Sequence, residues 1–154
     1  METQDLSYMA GYFDGEGSIS LVKRQRGKCL EYFIRISIGQ KDGASLDWIK
    51  DNFGGTLYNV KRDDSYIWLA TNNKAYKVIK LIVPFLKYKQ PQVKLAIKFY
   101  EECVVPVNRK KGMTPEDREK REKIFNEMKS LKHIFTKARG IGTTTERVNP
   151  QKGM

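Results

Sequence analysis

Asp14 and Glu16 are the two carboxylates that close a run of small residues, Met9-Ala10-Gly11-Tyr12-Phe13-Asp14-Gly15-Glu16-Gly17. A carboxylate is the ligand a hard divalent cation takes, and magnesium takes one or two from protein and the rest from phosphate and water. Leu6, Met9, Ala10 and Phe13 recur at helical spacing, which predicts a helix over residues 4–14, ended by Gly15 and Gly17. A glycine inside a helix costs about 1 kcal/mol relative to alanine. Ala10, Gly11 and Gly15 together therefore predict that a second backbone approaches here, with a carboxylate delivered at the point of contact.

A second set of chemically capable residues is cationic. Residues 18–26 alternate as a strand, Ile19 and Leu21 pointing one way and Ser18, Ser20, Val22, Arg24 and Arg26 the other. After a Gly27-Lys28 turn, Tyr32, Ile34, Ile36 and Ile38 form a core face. Glu31, Phe33, Arg35, Ser37 and Gly39 form the opposite one. Arginine donates bidentately to guanine in the major groove, serine donates or accepts there, and a two-stranded ribbon fits that groove. Asn59, Lys61, Ser65 and Ile67 of a second hairpin are expected on the same outer face. A mixed-charge solvated sheet face is the plainer alternative for all of these residues.

The whole chain has 154 residues, a net charge of +11 and a pI of about 9.6. Such a balance points to a polyanion, nucleic acid first, because neutralising phosphates releases counterions. Cys29 and Cys103 are the only cysteines and His133 the only histidine. A zinc cage and two-histidine catalysis are thereby excluded. Both cysteines are expected as buried reduced thiols, and His133 as a surface residue near a helix end. The apolar stretch Val78–Leu86 is broken by Lys80 and Pro84 and is too short to span a bilayer. The first residues carry Glu2 and Asp5 and no long apolar run, so no signal peptide is read. A soluble intracellular protein is expected, in a prokaryotic cytoplasm or an organelle, with no membrane partner.

The remaining elements must position these groups. Residues 44–52 read as a short helix stopped by Gly54-Gly55, and residues 56–61 and 65–70 as a hairpin turning at Arg62-Asp63-Asp64. Asn72 is the expected cap of a helix running to Pro84, and Gln92–Glu102 form another helix. Thr114-Pro115-Glu116-Asp117 is a helix start, followed by a buried stripe of Ile124, Met128, Leu131 and Phe135. The order gives an α+β fold: an αββαββα core, a four-stranded antiparallel sheet with helices on one face, and C-terminal helices. Residues 1–136 are expected to form one domain, and residues 137–154 a basic extended or disordered tail.

Residues 9–17 resemble, position for position, the signature of the LAGLIDADG homing endonucleases: a small pair, two apolar residues, Asp, a small residue, an acid and Gly. The resemblance covers roughly residues 5–102 and implies the fold just described. It implies that Glu16 is the catalytic acid and a ligand of Mg2+, or of another divalent cation such as Mn2+. The family's acid there is often Asp, so Glu16 lengthens the reach. Gly15 would add its carbonyl to the metal, and Asp14 would accept hydrogen bonds at the helix end. Ile38-Gly39-Gln40-Lys41 matches a strand end where family members place a water-orienting glutamine, Gln40 here. Pro84-Phe85-Leu86-Lys87-Tyr88-Lys89-Gln90 resembles a segment whose second lysine, Lys89 here, reaches the active site. Where some relatives carry a further basic residue, this chain has Ala44, and Lys41 is the candidate substitute.

Only one signature segment occurs, and single-motif members of the family act as homodimers. Ser7, Ala10, Gly11 and Asp14 would then lie at the helix-pair interface. The implied activity is metal-dependent hydrolysis of double-stranded DNA at a long, roughly palindromic target, cut across the minor groove to leave 3′ overhangs. Two other readings stay open: an intron RNA maturase, and a DNA-binding regulator without catalysis. Glu16, Gln40 and Lys89 favour cleavage, since a maturase does not need them.

Overall fold

The glycine-bearing helix is α1, Thr3–Glu16, in a computed structural model that describes residues 1–106 and 112–138, the last four as backbone alone. It passes through Gly15 and hands over at Gly17 directly to the sheet. Gly17 is extended, with φ −73°, so its smallness serves space and not handedness. A Cβ there would lie 2.3 Å from the Phe13 ring and 2.6 Å from the Phe13 carbonyl oxygen.

The sheet contains β1 (Gly17–Arg26), β2 (Cys29–Gln40), β3 (Thr56–Val60) and β4 (Ser65–Thr71), in the order β1-β2-β4-β3. All three pairings are antiparallel. The β1–β2 ladder runs from Gly17 opposite Ile38 to Arg26 opposite Cys29. Ile19, Leu21, Tyr32, Ile34, Ile36, Ile38, Trp68 and Ala70 are buried on one face, as period-two alternation requires. Helices α1, α2 (Ala44–Phe53), α3 (Asn72–Ile82) and α4 (Gln90–Phe99) complete that core with Met9, Phe13, Leu46, Ile49, Ile79 and Phe99. The last of these helices continues as a π-helical turn, Tyr100–Val104. The α+β architecture is the one expected.

Helix α5, Pro115–Ala138, begins with the expected cap. The Asp117 amide donates to Thr114 Oγ1 at 3.1 Å, and the Thr114 amide donates to the Asp117 carboxylate at 3.0 Å. Hydrogen bonds from the Thr114 amide, and then from its side chain, hold the Asp117 carboxyl below its ordinary range. Ile124 and Met128 enter the core and Leu131 is half-buried. The Phe135 side chain lies outside the described residues, as does the tail expected over residues 137–154 except for its first two residues, which continue α5. His133 is exposed on α5, as expected.

Four expectations need correction. Asn72 is not the cap of α3: Thr71 holds that place, and Asn72 opens the helix with φ 48° and no side-chain cap. Asparagine is among the few residues that tolerate this region. Cys29 is exposed at the hairpin tip, whereas Cys103 is buried and its thiol pushed up by burial. Gly15 does not end α1 but lies within its last turn. Asn59 and Lys61 do not share a face with Ser65 and Ile67. Asn59 pairs with Tyr66, and β3 ends at Val60, opposite Ser65, leaving Lys61 in the turn. Directly paired residues share a face, so the outer positions of β3 are Thr56, Tyr58 and Val60.

Candidate metal site and nucleic-acid face

The two acids of the signature segment have different surroundings. Asp14 is buried. Its carboxylate accepts the backbone amides of Lys87 at 2.6 Å, Tyr88 at 3.2 Å and Lys89 at 2.8 Å. It thus pins the turn after the short 3-10 segment Val83–Phe85 against the end of α1. The Lys89 ammonium donates to the Phe13 carbonyl at 2.9 Å and also to the Asp14 carbonyl. A cation at this position adds to the Phe13 carbonyl, which also accepts the Gly17 amide, gives the Asp14 carbonyl a partner and opposes the dipole. Glu16, two residues on, is exposed and makes no hydrogen bond or ion pair among the described residues.

Gln40 is brought to the same place by register. Gly17 pairs with Ile38, so Gln40 lies two residues past the point where α1 becomes β1. It ends β2 opposite Tyr66 and is half-buried. Lys41 follows, exposed, and Ala44 opens α2 with its amide bonded to Asp42 at 3.0 Å. The end of α1 therefore gathers Glu16, Gln40 and Lys89. No three of His, Cys, Asp and Glu cluster as a cage among the described residues. The donors fit magnesium held by one exposed carboxylate per chain, a last-turn carbonyl such as that of Gly15, and oxygens from phosphate and water.

Along the exposed face of α1, Gln4, Ser7, Gly11 and Gly15 fall at helical spacing. A Cβ on Gly11 or Gly15 would meet nothing within 4 Å. Neither glycine is required by packing within the chain, yet each costs helix stability. Ala10 and Asp14 turn the other way, into the chain's own core, so the expected interface narrows to Ser7, Gly11 and their exposed neighbours. Burial of Ala10 and Asp14 within their own chain is the reason. Tyr8 flanks the stripe, edge-on to Trp48 at 5.1 Å.

The outer sheet face is arranged in cross-strand rows. Ser18 pairs with Ser37, Ser20 with Arg35, Val22 with Phe33 and Arg24 with Glu31. Arg26 and Arg35 are exposed. The Arg24 guanidinium donates to Glu31 at 2.8 and 3.2 Å and lies over the Phe33 ring at 5.1 Å. The hydrogen bond from Arg24 holds the Glu31 carboxyl below its ordinary range. Ser65 and Ile67 extend the face onto β4, as expected, joined by Leu69 and Thr71. Sequence reasoning missed Glu31 as a partner for Arg24, although the alternation already put both on one face. It also missed Thr56, Tyr58 and Val60, for which the four residues between Val60 and Ser65 were the available signal.

A family model described as LAGLIDADG endonuclease matches residues 9–103, well over half of the chain. An uncharacterized cox1 intron-2 protein of Schizosaccharomyces pombe is 34% identical over 73 residues, which is 47% of this chain and 23% of that protein. The match thus spans under a quarter of that relative's length. Among solved structures, homing endonuclease I-CvuI, in complex with the I-CreI target in 2 mM Mg with the DNA not cleaved, superposes with a TM-score of 0.73 at 16% identity. The superposition covers 83% of this chain and 82% of that one. The archaeal intron-encoded homing endonuclease I-Vdi141I, complexed with DNA, gives a TM-score of 0.73 at 19% identity, over 84% and 85% of the two chains. Homing endonuclease I-TnaI gives 0.60 at 20% identity, over 86% and 96%. No helix among the described residues is long and apolar enough to cross a membrane.

Proposed function

The chain belongs to the LAGLIDADG endonuclease family, and from that premise we propose that it is a homodimeric, site-specific double-strand DNA endonuclease acting by metal-dependent hydrolysis. One observation carries this reading. Glu16 is an exposed carboxylate with no partner within the described chain, held at a helix end beside Gln40 and Lys89. Asp14, its neighbour in the motif, is spent on the fold.

The dimer is supported by Gly11 and Gly15, which leave open space on the exposed face of α1. Two-fold pairing of that face with itself would bring two Glu16 carboxylates together. A divalent cation bound there would polarise the scissile phosphate and lower the pKa of an attacking water. Glu16 and the Gly15 carbonyl would hold it, and Gln40 would orient the water. Lys89 would offset charge on the phosphorane. The basic outer rows of β1 and β2 would track the major groove on either side, with the cut across the minor groove leaving 3′ overhangs.

The match to a cox1 intron protein supports an intron as the setting, in an organelle or a prokaryote. The target is then the uninterrupted insertion site formed by the DNA flanking the reading frame. A plasmid carrying that junction should be linearised with magnesium and stay intact with a chelator. An intact plasmid in both conditions would contradict cleavage. Binding without cutting would leave a DNA-binding regulator, and selective binding of the intron transcript would leave a maturase.

A further inference from the structure

The β1–β2 hairpin outruns the sheet that supports it. Strand β4 pairs with β2 only from Arg35 to Gln40. Among the described residues, no strand lies beside the other edge of β2 from Cys29 to Ile34, and β1 is the outermost strand of the sheet. The distal half of the hairpin is therefore a two-stranded ribbon, a unit that is marginally stable on its own in water. Arg24 and Arg26 stand on the outer face of that half.

Its underside rests on α5. Lys23 donates to both oxygens of the Glu122 carboxylate, at 2.9 and 2.8 Å, and the Tyr32 hydroxyl donates to the same group. Lys23 and Tyr32 are directly paired across the ladder, so one carboxylate ties both strands. Phe125, three residues on along α5, meets the Tyr32 ring edge-on at 6.1 Å, and the Lys23 ammonium lies 5.9 Å from the centre of the Phe125 ring. The match to the family model stops at residue 103, whereas α5 starts at Pro115. The support is built from a part of the chain outside the matched segment.

We propose that Glu122 is a positioning residue for DNA recognition: it braces the tip of the β1–β2 hairpin from α5 and so sets the reach of Arg24 and Arg26 towards the outer bases of each half-site. The proposal rests on the reading of the protein as a DNA endonuclease. A ribbon tied at one end only would sample many tip positions, and bidentate base contacts require a fixed guanidinium. The α1 end of the hairpin, locked into four strands, does not depend on the brace.

Two measurements on the full chain test this, with Glu122→Ala as the main variant and Tyr32→Phe as a milder one that removes a single donor. Without DNA, amide exchange in the ladder between Lys23 and Arg26 and between Cys29 and Tyr32 should quicken by about threefold to tenfold in Glu122→Ala, the range for a half-exposed charge-assisted pair. Amides from Ile19 to Leu21 should be unchanged. In a binding-site selection, the variant should lose base preference at the outermost positions of each half-site and keep it near the centre. The cutting rate of the bound complex should equal that of wild type, and Tyr32→Phe should shift the same readouts less. A wild type and a Glu122→Ala variant that select the same sites, or exchange their tip amides equally fast, would overturn the brace alone. A wild type that selects no duplex would overturn both the brace and the reading it rests on.

Discussion

At its α1 end the β1–β2 hairpin is part of a four-stranded sheet over a closed core, whereas at its tip it is a ribbon held from beneath by α5. The two ends also differ in chemistry. The α1 end brings together Glu16, Gln40 and Lys89, with the amides of the 87–89 turn bonded to the Asp14 carboxylate and the Lys89 ammonium to the Phe13 carbonyl. The tip end carries Arg24, Arg26 and Glu31 on an exposed face, where one ion pair and one ring contact hold a guanidinium. Under the proposed reading, hydrolysis needs atoms placed to within a fraction of an ångström, and the end tied into four strands would supply that placement. Recognition draws on several weaker contacts, which the lighter end can supply. Substitutions should therefore separate cutting from reading according to which end they touch.

The largest effect should come from breaking the proposed dimer at the exposed face of α1. Gly11→Leu puts a bulky side chain where a second backbone is expected, so sedimentation should show a monomer and duplex cutting should be lost. A variant dimer as tight as wild type would remove this face from the interface. Next comes Asp14→Ala, which leaves the amides of residues 87–89 without their buried acceptor. It should lower stability by roughly 3 kcal/mol, as expected for losing charge-assisted bonds and stranding donors, read as a drop in Tm. An unchanged Tm would mean that the acid does not anchor the turn.

Across the outer face of the hairpin, at Arg24 near the tip and at Arg35 where β4 begins to pair with β2, the effects should be smaller and confined to binding. Arg24→Ala and Arg35→Ala should each cost about 1–3 kcal/mol and relax one position per half-site if the guanidinium reads a base. A uniform loss with a shallower salt dependence would assign that arginine to phosphate instead. The mildest effect is that of pH on the brace. Hydrogen bonds from Lys23 and Tyr32 hold Glu122 below the ordinary carboxylate range, and the bond to Glu122 raises Lys23 above the ordinary lysine value. Burial, and then Glu122, raise Tyr32 as well. A depressed acid stabilises above its unfolded pKa and loses that contribution as pH falls through its folded value. A raised lysine stabilises below its unfolded pKa and loses that as pH rises through its folded one. Tip amides should thus be best protected from mildly acidic to mildly basic pH and should exchange faster in strong acid or strong base, after correction for intrinsic rates. Protection at the tip that follows the α1 end across this range would contradict a separate brace.

The two hairpins show how much was legible in the sequence. In the first, β2 alternates along its core-facing run and β1 as far as Val22, and a two-residue turn with glycine fixes the register. Every outer residue from Ser18 to Ser37 was placed on the correct face. In the second, β3 is five residues long and its turn carries four polar residues. A strand end misplaced by one residue there reverses the face of everything before it, which is what happened to Asn59, while Lys61 fell in the turn. The helix face failed for a related reason. Ala10 and Gly11 are both small, and composition does not say which of two adjacent positions looks inward. The roles of Asp14 and Glu16 followed from their places in the motif, and the geometry of Asp14 agrees. The brace was illegible, because Lys23 and Glu122 are 99 positions apart and each alone resembles a surface charge.

The central claim is that Glu16 does chemistry and not structure. It is tested most directly by Glu16→Gln, assayed on the intron-insertion duplex with magnesium beside a gel-shift and a thermal melt. The account predicts no detectable cutting, with specific binding and Tm equal to wild type. Cutting at the wild-type rate, or loss of binding and Tm together with cutting, would contradict it.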